Sequence, residues 1–306
     1  MTLAANKINS MPQVPEQSKR GFTQRDLFYP VSDVTYEFLD WKGEQLYFVC
    51  HEPEDADAIA TVIIAEPFGD ERGCAYLTLV RWARFLASSG FRVVRFDYRG
   101  CGESSGSFSE QTFLGWEEDL EFVVRACLAR FFGQPPILFG LRLGAILSLR
   151  VFARGLGQAL LMWNRLDSCE IMLREILRRK IASDAMEKIL IKGKSRQHYI
   201  QELIAGRNIF VEGMTWTLPL WESGLACASI LPRQSDIRPW LDVRLEAASQ
   251  IAPAASFHLK PISIRDPAFW TPSPLLNPNV DELFGQSRDW LLTVAKAKSE
   301  TFPCDA

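Results

Sequence analysis

Pro135-Pro136-Ile137-Leu138-Phe139-Gly140-Leu141-Arg142-Leu143-Gly144-Ala145-Ile146-Leu147-Ser148-Leu149 is the stretch whose reading decides the fold. A short apolar run ends at Gly140, turns sharply to Gly144 and continues as an apolar helical pattern. A strand, a tight turn and a helix in that order, with the Gly-x-?-x-Gly spacing intact, make the elbow on which enzymes present a nucleophile. At its centre, where Ser, Cys or Asp would serve, the chain carries Arg142. A guanidinium stays protonated at ordinary pH and cannot attack a carbonyl. The fold is therefore written more clearly than the chemistry.

Upstream, residues 60–65 form a continuous apolar run, the pattern of a strand buried on both faces, ending in the turn Glu66-Pro67-Phe68-Gly69-Asp70. A helix is expected over 75–88, a strand over 91–97, a glycine-rich loop to Gly106 and an amphipathic helix over 116–131. Downstream, 158–164 reads as another buried strand. This alternation predicts an α/β fold with a mostly parallel, doubly wound sheet, and places Leu138 and Val94 on neighbouring strands. Two β-rich runs around Trp41-Lys42-Gly43-Glu44 predict a hairpin ahead of it.

Residues 1–25 read as a mobile arm, and 26–300 as one domain with a helical lid inserted at about 165–220. Between 165 and 207 ten Lys and Arg face six Asp and Glu. That is either a solvated helical face or a basic lid turned toward an acidic ligand or partner. Beyond it the pattern predicts a short strand over 226–231, a helix over 240–250, a last strand over 256–264 with Pro261 at an edge or bulge, and a final helix over 279–297.

With 306 residues, 47% of them apolar, the chain is long enough for a large core and is not of disordered composition. No apolar run is long enough to span a membrane, and the amino terminus lacks a secretory pattern, so a cytoplasmic protein is expected. Seven scattered cysteines and three histidines suggest reduced thiols, no metal site and no cofactor. A net charge of -3 gives no general attraction to nucleic acid.

Three motifs in order, Glu66-Pro67-Phe68-Gly69, the loop Phe96-Asp97-Tyr98-Arg99-Gly100-Cys101-Gly102-Glu103-Ser104-Ser105-Gly106, and Gly140-Leu141-Arg142-Leu143-Gly144, resemble the α/β-hydrolase superfamily near its serine aminopeptidase and acylglycerol lipase branch. With the late Asp266-Pro267-Ala268-Phe269-Trp270, they are most similar to the type 2 hydrolases associated with exosortase gene clusters. The resemblance covers roughly residues 35 to 295 and implies the α/β-hydrolase fold and an ester or amide hydrolase ancestry. It also implies an oxyanion hole from backbone N–H groups at Phe68 or Gly69 and at Leu143.

The same resemblance would place the triad acid at Asp236, which can equally cap a following helix. It leaves the base vacant: the loop after the last strand has no histidine, His258 lies at that strand's start, and His51 and His198 fall elsewhere. Three readings follow. One is a pseudoenzyme binding a small anionic ligand through Arg142 and the N–H groups near Gly69 and Leu143, unless Asp236 or Asp266 neutralises the arginine instead. Another is a hydrolase or acyltransferase that handles an acyl-type substrate with Cys101 as relocated nucleophile, although Cys101 can equally be a small residue in a tight turn. The third is a protein partner in a polysaccharide or export assembly.

Overall fold

The computed structural model describes residues 33–54, 57–131, 134–186, 195–233, 235–246, 259–263, 268–272 and 279–299. Strands β1 (Val34–Trp41) and β2 (Glu44–His51) form the predicted hairpin. Its two turn residues, Lys42 and Gly43, have φ of 53° and 80°, the left-handed pair that such a turn needs. Then come β3 (Thr61–Ala65), α1 (Asp70–Ala87), β4 (Arg92–Phe96), α2 (Phe113–Arg130), β5 (Ile137–Leu141), α3 (Leu143–Ala153) and β6 (Ala159–Trp163). Every residue of β3, β5 and β6 is buried, as strands covered on both faces must be.

Between β6 and the next sheet strand the chain inserts α4 (Cys169–Met186), α5 (Arg196–Ile204), a small hairpin of β7 (Ile209–Val211) and β8 (Met214–Trp216), and α6 (Leu218–Ala226). It returns as β9 (Trp240–Glu246) and β10 (Leu259–Ser263), and α7 (Asp281–Ser299) closes the described fold. The sheet order is β1-β2-β4-β3-β5-β6-β9-β10. From β4 to β10 all pairings are parallel.

Because side chains alternate across a strand, the sheet divides two cores. Ile63, Val94, Leu138 and Leu160 face α2, α3 and the insertion. Val62, Ile64, Phe139 and Leu161 face α1 and α7.

Several expectations need correction. Leu138 and Val94 share the sheet but not neighbouring strands, because Ile63 of β3 pairs with both. The crossovers carry β4 to one side of β3 and β5 to the other. Residues 240–246 are a strand, not a helix. There Leu241 and Val243 alternate with Asp242 and Arg244, and ladders to β6 on one side and β10 on the other use the backbone groups a helix would have used. No strand covers 226–231, since Ala226 ends α6 and only Ala228 makes an isolated bridge, to Ser168. Pro261 sits in β10, the outermost strand on that side of the sheet among the described residues, the kind of strand in which a proline is tolerated. The residues read as a mobile arm, 1–25, lie outside the described residues, as do His258 and Asp266.

Candidate functional site: an arginine at the elbow

The elbow exists because two glycines let α3 press against the sheet. A Cβ on Gly144 would lie 2.0 Å from the Ala65 carbonyl oxygen, and one on Gly140 would lie 2.3 Å from the backbone of Gly144. Between them Arg142 adopts φ 55° and ψ -110°, a strained conformation for a residue with a side chain. Its N–H donates to the Trp163 carbonyl at 3.1 Å, which anchors the turn to the end of β6. The side chain is thereby delivered to the carboxyl end of the sheet, beside the first turn of α3.

Two carboxylates receive it. Arg142 Nε lies 3.2 Å from both oxygens of Glu71, and Nη2 lies 2.8 Å from Glu71 Oε1 and 2.8 Å from Glu175 Oε2. Glu71 belongs to the first turn of α1, directly after the Phe68-Gly69 turn, and its side chain is 3% exposed; Glu175 comes from α4 and is 36% exposed. Burial pushes the Glu71 carboxyl above its ordinary range, and the hydrogen bonds and charge of Arg142 pull it only partly back. Burial opposes the Arg142 charge, but the hydrogen bonds and charges of Glu71 and then Glu175 together outweigh it and hold the guanidinium protonated. Close by, Arg179 of α4 pairs with Glu212 of the β7–β8 turn at 2.8 Å, while burial and then the Glu212 charge raise Asp70. The first turn of α1 thus meets the insertion across a charged layer.

The expected partners of Arg142 were Asp236 and Asp266. Asp236 is excluded by topology. It precedes β9 and accepts from Arg238 Nε at 2.9 Å, and Arg238 in turn donates to the carbonyls of Phe152, Leu156 and Gly157. These groups lie at the amino ends of β6 and β9, opposite the elbow. The strand expected over 226–231 would have put Asp236 at a carboxyl end; the strand instead follows it, at 240–246. His51 is also at the far end, since its register partner is Val93 near the start of β4. There burial, then Arg95 and Arg84, lower it to about 4. His198 lies in α5 of the insertion.

Gly69, at φ 60°, caps α1, and a Cβ there would meet Met214 Cε at 2.7 Å. The β7–β8 hairpin therefore rests on that turn. Phe68 is buried, its ring 5.2–6.2 Å from those of Phe108, Phe113, Trp116 and Trp216. Leu143 opens α3 and is buried as well, and the first N–H groups of such a helix have no intrahelical acceptor.

Cys101 sits in a turn tied at both ends: its N–H donates to the Tyr98 carbonyl at 3.0 Å, and Asp97 accepts from the Glu103 N–H at 2.8 Å and from Arg72. Burial pushes its thiol up to about 12.

Glu71 and Glu175 are the residues sequence reasoning missed. A signal for Glu71 was present, because it stands two positions after the turn that lies beside the elbow in any such sheet. Glu175 had none beyond its place in the charged insertion. Among the described residues no cluster of side chains is arranged to hold a metal ion, and no helix is long and apolar enough to cross a membrane.

No family model and no curated protein sequence matches the chain. Solved structures do. Est1E from Butyrivibrio proteoclasticus, solved with ferulic acid bound, superposes with a TM-score of 0.56 at 17% identity, over 84% of this chain and 98% of that one. Alpha/beta hydrolase domain-containing protein 10 from mouse superposes with a TM-score of 0.51 at 14% identity, over 85% and 99%. At such identities the likeness is one of fold.

Proposed function

We propose that this chain, which has the α/β-hydrolase fold, is a non-catalytic member of that fold whose acyl site has become an exchange site for an acidic group. The observation that carries the reading is the clamp on Arg142, a guanidinium in the nucleophile's place held by one buried and one half-exposed carboxylate. Glu71 is a fixed counter-charge. Glu175 can return to water at small cost, and a ligand carboxylate, phosphate or sulfate could then take its place on Nη2 as a charge-assisted hydrogen bond. The first N–H groups of α3 would add a favourable dipole.

Two further points support the absence of hydrolysis. Without a nucleophile at the elbow, a triad fold retains only about a thousandfold over the uncatalysed rate. The Cys101 alternative requires a thiolate, and its surroundings disfavour one. The likeness to exosortase-associated hydrolases rests on the elbow, the loop ending at Gly106 and the segment Asp266-Pro267-Ala268-Phe269-Trp270 together, and we place the chain near them on that ground.

Calorimetry with small carboxylates, phosphates and sulfates on the wild type, Glu175→Gln and Arg142→Leu tests the reading. Removing the competing carboxylate should tighten binding in Glu175→Gln about tenfold, and Arg142→Leu should abolish it. If no anion binds either wild type or Glu175→Gln more tightly than Arg142→Leu, the exchange site is rejected. Turnover of a p-nitrophenyl ester, or labelling by a fluorophosphonate, would reject the non-catalytic reading.

A further inference from the structure

The insertion leaves the sheet after β6 and returns before β9, and its two ends meet in a short antiparallel contact. The Cys169 N–H donates to the Cys227 carbonyl at 2.9 Å, and the Ser229 N–H donates to the Asp167 carbonyl at 2.9 Å. These bonds make Ser168 and Ala228 bridge partners, so Cys169 stands opposite Cys227. Residues opposed across an antiparallel contact have Cα atoms about 4.5–5.5 Å apart, inside the roughly 4.4–6.8 Å that a disulfide spans. The two thiols are also near enough to shift each other's proton affinity.

Both residues are fully buried. Arg150 reaches the same spot from α3 and donates from Nη1 to the Ala228 carbonyl at 3.0 Å. The Cys169 thiol, and after it the Arg150 charge, lower the Cys227 thiol, while burial and then the neighbouring Cys227 raise Cys169. With the Arg150 guanidinium beside Cys227, that sulfur is assigned as the attacker and Cys169 as the resolving thiol.

We propose that Cys169 and Cys227 are an oxidisable dithiol, a modification site at the neck of the insertion, with hydrogen peroxide as its oxidant. A small oxidant is required because neither sulfur reaches the surface. The Cys227 thiolate attacks one peroxide oxygen, the O–O bond breaks and hydroxide leaves, giving a sulfenic acid. The Cys169 sulfur then attacks the Cys227 sulfur, the S–O bond breaks, and the oxygen departs as water with the Cys169 proton. Hydroxide takes up the proton first lost by Cys227. Two thiols are oxidised to one disulfide and one peroxide is reduced to two waters. The bond ties the outgoing and returning ends of the insertion together and closes a loop of roughly sixty residues.

The test uses the full chain, exposed to a few equivalents of hydrogen peroxide, quenched with N-ethylmaleimide in denaturant and digested without reduction. Peptide mapping should recover the Cys169 peptide joined to the Cys227 peptide, with two thiols lost per chain and restored by dithiothreitol. The midpoint of thermal unfolding should rise by roughly 5 °C. Cys227→Ser should show neither the link nor the rise, while Cys74→Ser should show both. The mapping on the unaltered chain decides the matter even if Cys227→Ser fails to fold. Recovery of Cys169 and Cys227 as alkylated thiols while other cysteines oxidise overturns the proposal, and so does a link that forms only in denatured protein.

Discussion

Arg142 occupies a position that elsewhere in the fold holds a reactive group, and its charge is absorbed by Glu71 and Glu175. The two partners are not equivalent. Arg142→Leu leaves the buried Glu71 carboxylate uncompensated, and the expected loss of stability in urea unfolding is about 3–5 kcal/mol. Arg142→Leu combined with Glu71→Leu should recover most of it. Glu175→Ala should cost no more than about 1 kcal/mol. The pH dependence of the single variant has a definite sign. Without its cation the already raised Glu71 carboxyl rises further, so the folded state holds a proton that the unfolded chain has released. Stability therefore increases as pH falls through the folded-state value and levels off near the ordinary carboxylate range, so the deficit should be larger at pH 8 than at pH 5. At Cys101, a thiol pushed up to about 12 has roughly a thousandfold less thiolate at pH 8 than free cysteine. Iodoacetamide should leave it intact in the native protein over hours, and prompt alkylation at this position would return it to candidacy as a nucleophile.

The contact of α3 with β3 is the tightest joint between elements at the elbow, and it can be broken by one methyl group. Gly144→Ala puts a carbon against the fixed Ala65 carbonyl, so the expected result is a loss of several kcal/mol or failure to fold. Gly155→Ala meets open space and should cost only about 1 kcal/mol, the strain of its positive φ. Thermal unfolding of the two variants side by side measures the difference. This joint was legible in the sequence because a glycine pair at fixed spacing is local information, and so were the strands β3, β5 and β6, whose apolar runs are continuous. What the sequence hid was decided at long range. Residues 240–246 do carry a period of two, Leu241, Val243 and Leu245 alternating with Asp242, Arg244 and Glu246, but so short a run does not say which strands it joins, and the ladders to β6 and β10 supply that. Expecting the strand at 226–231, ahead of Asp236, rather than at 240–246, after it, is what displaced Asp236 to the wrong end of the sheet. Arg142 itself was visible at once, but Glu71 is 71 positions away and Glu175 is 33, and no periodicity links them to it.

Across the whole molecule, the segment expected as a lid is not a flap laid over a finished core. Leu173, Ile176 and Leu177 of α4 and Trp221 of α6 share one buried cluster with Ile63, Phe68 and Leu138. In native-state hydrogen exchange the amides of α4 and α6 should open with the same free energy as those of β5. Exchange there that is easier by several kcal/mol would show an independently opening lid instead. The opposite rim of the sheet has different manners. On β1, its outermost strand among the described residues, Val34, Tyr36 and Phe38 share one face and are 39%, 71% and 50% exposed. A regular eight-residue edge without proline, in a chain of net charge only -3, has little to keep copies apart at high concentration. Static light scattering should give a negative second virial coefficient at low salt, and Phe38→Lys should turn it positive, which makes the handling of concentrated solutions a property of a few side chains far from Arg142.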